Sequence, residues 1–423
     1  MLRLESSIAC LIHRLPVLVK WNVSPTRCAL PVHEVQPPEP HDVKHDLQQP
    51  LLYSSLREEQ LGCAASYFIV GRTTVATVNV DEFNTRLTKH LNKKARKWQP
   101  QVAVHAPSLG LDFRYGQEDL PFHSASVGKL APAAITMQLV EQQAVTLDTR
   151  ISSVLDPDLL RGIFVDERLS EVTIEHLLTH TSGANDYLNG RTEGPTVAEL
   201  AVADLHRQWT PNSLLDHARE HQQPVGAPGQ KFFYSDTGFI VLGLLLEAVT
   251  GTDYPHLVHK RIFEPLGMSR SFMPLRTKPA IGENTIAPLY LGKTRVDNAE
   301  SLSLDWAGGG LAATLADYLT FIHALRSGGL ISAESWSWLT ESRHKYRAGL
   351  HYGAGSMNVK FDEFSPFLRN WPRPVGHLGL TAAHLWHDPV HDAEIVINFG
   401  SSKAMQASFY SLIEIVGLLR QLS

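Results

Sequence analysis

The sequence predicts an α/β fold of the α+β kind. One antiparallel sheet is built from both ends of the chain and flanked by the first and last helices, and the middle is mostly helical. Three observations predict it. A helical period near residue 81 is followed by two short strand-like runs. Three more such runs near the C-terminus lead into a helix with one apolar stripe. Between the two ends lie helical patterns with few strands among them.

In order, Phe83, Leu87 and Leu91 recur at helical spacing up to Lys97, with Asp81 as N-cap. Gln101–Ala106 and Leu111–Tyr115 read as strands around a Gly-containing turn. Phe122 then leads to Ser126 and a nearly uncharged helix through Leu130–Val140, the composition of a buried helix. Leu147–Glu171 is irregular. Thr173–His180 is a short helix, and two more are expected near Thr196–Gln208 and Ser213–His221. Pro228-Gly229 is a turn that delivers Tyr234, Ser235 and Asp236 to an apolar helix, Thr237–Val249, closed at Gly251. Tyr254–Ile262 is a further helix, and Met273–Leu304 is loop-rich. The glycines of Trp306–Gly310 mark backbone passing close to something. Thr314–Ser327 is helical. Pro374–Gly379, Thr381–Trp386 and Glu394–Phe399 are strands, and Met405–Leu419 is the last helix, striped by Met405, Phe409, Leu412, Ile413 and Val416. The division expected is an α/β part over about 80–125 and 330–423 and a helical part over about 126–329. Residues 1–79 form an extension without assigned function, linker-like over Pro31–Pro50, with a strand or two expected in Tyr67–Val80.

With 423 residues, 43% of them hydrophobic, the chain can bury a large core. A net charge of -5 leaves no electrostatic footprint for nucleic acid. No apolar run approaches the ~20 residues that span a bilayer, and Glu5, His13 and Arg14 interrupt the N-terminal apolar residues, so no signal peptide is expected. Cys10, Cys28 and Cys63 make no disulfide framework, which suits a reducing, cytoplasmic compartment.

Ser126 and Lys129 lie three residues apart and so share a helix face. Serine needs a base within hydrogen-bond reach to act as a nucleophile. Lysine serves as that base if burial or nearby positive charge lowers its pKa. Helix N-terminal N–H groups could receive an oxyanion. Taken alone, the tetrapeptide reads first as an N-cap serine with a surface lysine, and Tyr234 as a half-buried strand aromatic.

Six segments occur in an order that resembles the serine β-lactamase-like hydrolases. They are Phe122-His-Ser-Ala-Ser126-Val-Gly-Lys129, Ile174 to Gly183, Pro228 to Gly243, Ile262 to Met268, Ala307 to Leu311 and Gly376-His377-Leu-Gly379. That group includes class C β-lactamases, D-alanyl-D-alanine carboxypeptidases, D-aminopeptidases and β-lactamase-like esterases, and the resemblance covers residue 81 to the C-terminus. It implies the β-lactamase/transpeptidase-like fold and a serine hydrolase working through an acyl-enzyme. Ser126 would be the nucleophile, Lys129 its base partner and Tyr234 the proton carrier. Asp236, His377, Gly379 and Leu380 would bind substrate, with the N–H groups of Ser126 and Leu380 as the oxyanion hole. No cofactor is implied.

Two positions depart from the pattern of the lactamases and carboxypeptidases. Tyr234-Ser235-Asp236 stands for Tyr-x-Asn, and an ionised aspartate only accepts hydrogen bonds where an amide also donates. His377-Leu378-Gly379 stands for Lys-Thr-Gly, which weakens a carboxylate site. An esterase or amidase on a small acyl substrate is therefore expected ahead of D-aminopeptidase, carboxypeptidase or β-lactamase action, with Asp236 open to a substrate amine. Lys129 should also make the Tyr234 phenol more acidic. The rival classes are a non-catalytic binder on the same fold and a metal enzyme. His176 and His180 lack the glutamate of the zinc pattern His-Glu-x-x-His. His384 and His387 fall on opposite strand faces and His391 beyond them, so no metal site is expected.

Overall fold

The computed structural model describes residues 77–422. The expectation of strands before residue 77 lies outside them. Val78 makes a single bridge to Leu422. Helix α1, Val80–Ala95, begins two residues earlier than expected. Asn79, not Asp81, is the N-cap and accepts from the Glu82 N–H, while Asp81 and Glu82 sit in the first turn, where the helix dipole favours them. Strands β1 (Gln101–Ala106), β2 (Leu111–Tyr115) and β3 (Phe122–His123) follow. A 3₁₀ turn, Ala125–Lys129, then runs directly into α2, Leu130–Glu141.

The helical part holds α3 (Pro157–Leu160), α4 (Ile174–Leu178), α5 (Val197–Ala203) and α6 (Pro211–His221). Thr173, Thr196 and Thr210 cap the last three through reciprocal capping boxes. In α7, Asp236–Thr250, Ser235 caps the start and left-handed Gly251 ends it. The single helix expected to follow is α8, Tyr254–Val258, continued by a π turn over His259–Phe263. The loop-rich stretch contains a two-residue hairpin of β4 (Tyr290–Leu291) and β5 (Thr294–Arg295). Strand β6, Ala312–Ala313, pairs with β3, so that His123 lies opposite Ala312. Helices α9 (Leu315–Ser327) and α10 (Ala333–Thr340) complete this part.

Strands β7 (His344–Arg347), β8 (Leu350–Tyr352) and β9 (Met357–Val359) precede β10 (Val375–Leu378), β11 (Ala383–Asp388) and β12 (Ala393–Asn398), and α11 is Met405–Leu419. The main sheet runs β2-β1-β12-β11-β10-β9-β8-β7, antiparallel throughout. It exceeds the sheet expected from sequence by the three strands β7 to β9. Strand side chains alternate between its faces. Val102, Val104, Ile395 and Ile397 pack with Phe83, Leu87 and Leu91 of α1 and Leu412 and Val416 of α11. Ala103, Leu385 and Val396 face the helical part and join the core around α2 and α7. His377 shares this second face, because the register sets it opposite Leu385.

Candidate active site

The Ser126 turn is wedged between two backbones that only glycine permits. A Cβ on Gly309 would meet the Ala125 oxygen at 2.2 Å, and one on Gly128 the Gly309 oxygen at 2.4 Å. From the sheet side, a Cβ on Gly379 would meet the Ser124 oxygen at 2.6 Å. The glycine loop flagged in the sequence therefore passes against the serine turn, and the end of β10 closes on it from the other side. Ser124 ties the loop down: its hydroxyl donates to the Gly309 oxygen and accepts from the Leu311 N–H. Ala125 adopts a left-handed φ of 45°, unusual for alanine, immediately before Ser126.

Lys129 is fully buried. Its ammonium donates to Asp236 Oδ1, to the Gly308 oxygen at 2.6 Å and to Ser126 Oγ at 3.4 Å, which accounts for all three of its protons. Burial alone would lower the Lys129 pKa, but Asp236 and then Asp305 outweigh it, and the pKa is raised. The sequence-based expectation of a lowered lysine pKa is thus corrected: the resting group is an ammonium ion. Asp236 is turned inward. It is 4% exposed and committed to Lys129, while its N–H donates to Asp186. It does not present its carboxylate to a substrate amine, as the sequence had suggested. Burial raises Asp186 and Asp305 to about 7, with Asp236 adding to both.

Tyr234 lies over the same ammonium, its ring centre 5.1 Å from Lys129 Nζ. Its hydroxyl is buried and completes no well-formed hydrogen bond, although Ser126 is close enough to pull its pKa down. Burial first and Asp236 second push that pKa well above 10, so the phenol is neutral and not acidified by Lys129 as expected. His377 is fully buried against Tyr352, and burial, then Lys129, lowers its pKa to about 3. It is a neutral wall of the site and not an exposed titrating group. Leu380 is half-buried just beyond β10. Ser126 sits within the 3₁₀ turn and Leu380 just past the end of β10, the two positions whose N–H groups the resemblance assigns to the oxyanion.

Sequence reasoning missed four groups. His180, with a left-handed φ of 56°, accepts the Ser235 N–H at Nδ1 and packs on Tyr234. Tyr352 lines the same wall. Asp186 and Asp305 surround the Lys129–Asp236 pair. None carries a local signal beyond its residue type, since each is brought in from a separate loop or strand. Among the described residues no cluster of three or more metal-ligating side chains occurs. His176 instead caps α4, His384 is bonded to Ser408 and Trp386, and His391 to Asp388. Surface recesses along α1 and beside His217 lie apart from Ser126. No described helix is long and apolar enough to cross a membrane.

A family model described as Beta-lactamase matches residues 93–408. Penicillin-binding protein 4 of Amycolatopsis lactamdurans is 32% identical over 159 residues, 36% of this chain and 36% of that protein. Acyltransferase mokF of Monascus pilosus is 28% identical over 241 residues, 52% of this chain and 56% of that one. The chain therefore spans between about a third and somewhat over half of the length of these relatives. D-amino acid amidase from Ochrobactrum anthropi SV3 superposes with a TM-score of 0.66 at 20% identity, over 80% of this chain and 99% of the amidase, which shows a shared fold.

Proposed function

This chain belongs to the β-lactamase family, and we propose that it is a serine hydrolase that acts through an acyl-enzyme on Ser126, with a small ester or amide as substrate. The observation that carries the reading is the convergence of Ser126, Lys129 and Tyr234 on one spot, with the end of β10 packed against the serine turn, where the family resemblance puts the Ser126 and Leu380 N–H groups as the oxyanion site. Acyl transfer requires a nucleophile, a proton route and an oxyanion site, and these groups supply all three.

In this reading Ser126 Oγ bonds to the substrate carbonyl carbon, and the carbonyl π electrons move onto oxygen. The Ser126 and Leu380 N–H groups receive that oxyanion, a contribution of about 3–4 kcal/mol for a single donor in comparable sites. Lys129 takes the serine proton as it passes one of its own to Asp236. The neutral Tyr234 hydroxyl protonates the leaving group as the C–O or C–N bond breaks, and the Lys129–Asp236 pair then reprotonates Tyr234. The net result is transfer of the serine proton to the leaving group. Water repeats the sequence on the acyl-enzyme and frees the acid. Asp236 is a proton acceptor built into the site, a role that the usual asparagine, whose amide oxygen accepts hydrogen bonds but is not protonated, could not fill.

The inward Asp236 and buried His377 support small neutral acyl groups over substrates held by a carboxylate or an amine. The test is turnover of a short p-nitrophenyl ester, a D-amino acid amide and a chromogenic cephalosporin by wild type and Ser126→Ala. Hydrolysis of the ester or the amide by wild type alone supports the proposal. Preference for the cephalosporin would replace the substrate assignment, and reaction of none of the three would favour a binding protein.

A further inference from the structure

Ala125 occupies a left-handed conformation that disfavours every L-residue with a Cβ. Something must hold it there, and the contact present is unusual. The Ala125 N–H donates to Nδ1 of His123 at 3.0 Å, two residues back. An Nδ1 that accepts leaves the imidazole proton on Nε2. That nitrogen lies 4.0 Å from Asp305 Oδ2, beyond hydrogen-bond length but within strong electrostatic reach across a buried space. His123 is 3% exposed, and its backbone is fixed opposite Ala312 in the β3–β6 pair.

Asp305 begins the loop that carries the other restraints on the serine turn. Gly308 of that loop accepts from Lys129, and Gly309 accepts from Ser124. Leu311 adds two more, donating to the Ser124 hydroxyl and accepting from the Ser124 N–H, and the chain of contacts Asp305 to His123 to Ala125 is a further tie, one that ends on the left-handed residue itself. His123 takes no part in the proton route described above, and Asp305 bears on it only through its charge beside Lys129.

We propose that His123 and Asp305 are positioning residues: Asp305 orients the His123 ring, and His123 holds the Ala125 N–H so that Ser126 Oγ points into the site. The proposal rests on Ser126 being the nucleophile. His123→Phe keeps the ring volume and removes the acceptor. His123→Asn places an amide oxygen near the position of Nδ1. Asp305→Asn removes the charge and keeps the shape.

The test uses the full chain and three readouts: the second-order rate of fluorophosphonate labelling, kcat and KM on the p-nitrophenyl ester, and amide hydrogen exchange of the peptide containing Ala125. His123→Phe should label roughly 10- to 100-fold more slowly, the scale of an ångström-level misplacement. It should lose kcat with KM little changed and exchange faster at Ala125. His123→Asn should recover most of the rate and the protection, and Asp305→Asn should fall between. Wild-type labelling and protection in His123→Phe would overturn the proposal, as would failure of His123→Asn to recover either. If wild type never labels, the assignment of Ser126 as nucleophile fails separately. The exchange comparison then decides whether His123 holds the turn: protection lost in Phe and regained in Asn supports it, and unchanged protection overturns it.

Discussion

Gly309 sits closer to the Ser126 turn than any residue with a side chain could. A Cβ built there stands 2.2 Å from the Ala125 oxygen and 2.6 Å from its carbonyl carbon, against a practical minimum of 3.0 Å. Gly309→Ala must therefore separate loop and turn by at least 3.0 minus 2.2, or 0.8 Å. Neither side yields as a flexible side chain would, because the two nearest atoms are Ala125 backbone and Ser124 and Lys129 tie the loop in place. A misplacement of about 1 Å at a reacting group costs on the order of 10²-fold in rate. Overpacking of this kind costs about 1–3 kcal/mol of stability, which a domain of this size survives. The expected result is a folded protein that reacts with a fluorophosphonate about 100-fold more slowly. Gly251→Ala is the control. Its φ of 67° carries a left-handed cost for alanine of roughly 1–2 kcal/mol, whereas Gly309 has a φ of 157°, and nothing lies within 4 Å of the new Cβ, so Gly251→Ala reports backbone strain without a clash. Labelling rates and urea unfolding of both variants separate the two effects. If Gly309→Ala labels within a few-fold of wild type, or Gly251→Ala slows labelling equally, the loop does not fix the nucleophile.

Tyr234→Phe removes a buried hydroxyl that completes no well-formed hydrogen bond. Unfolding free energy should change by less than about 1 kcal/mol while kcat falls about 10²- to 10⁴-fold; an equal loss in stability would make Tyr234 structural. Asp236→Ala strands the Lys129 ammonium in the core and should cost about 3–5 kcal/mol, read by urea unfolding, and Asp236→Asn should cost less because its amide oxygen still accepts. With the carboxylate gone, burial dominates and the Lys129 pKa falls, so the alanine variant should regain stability as pH rises; no dependence on pH would contradict the ion pair. Acid stability follows from five histidines held neutral. His90 and His123 are lowered to about 4, His377 and His384 to about 3, and His180 well below 6.5. The unfolded chain therefore binds protons at these histidines that the fold refuses as the pH falls below about 6. Asp186 and Asp305, raised to about 7, work the other way, since the fold keeps two protons that the unfolded chain has released. His176, His217, His344 and His387 are lowered as well, so the histidines outweigh the two aspartates and acidification from about pH 6 favours unfolding. Stability that rises toward pH 4.5 in a denaturant series would refute the assignment of these groups as buried and neutral.

The ends of the fold were legible because their patterns are long and regular. Helix α11 was read at its observed bounds, and β10 to β12 within two residues, from apolar stripes and β-branched runs that burial requires. Strands β7 to β9 were not read. They are three or four residues long, and β7, the sheet's edge, has the sequence His-Lys-Tyr-Arg and is buried on neither face, so it has no alternation to detect. Ser126, Lys129 and Tyr234 were singled out through their sequence context, and the glycines at 308 to 310 signalled a close approach whose partner only the fold identifies. The charge states could not be read. The sequence gives no measure of how Asp305, distant in the chain, and the burial of Tyr234 would set the Lys129 ammonium and the neutral phenol. His123 lies three residues from Ser126, yet its role depends on a left-handed Ala125 that no sequence pattern marks.

The most direct test of the account is intact-protein mass spectrometry during turnover of the p-nitrophenyl ester, followed by peptide mapping. The account predicts a wild-type adduct equal to the acyl group, carried on the peptide containing Ser126, and no adduct on Ser126→Ala. Steady hydrolysis by Ser126→Ala, or an adduct mapped to another residue, would contradict it.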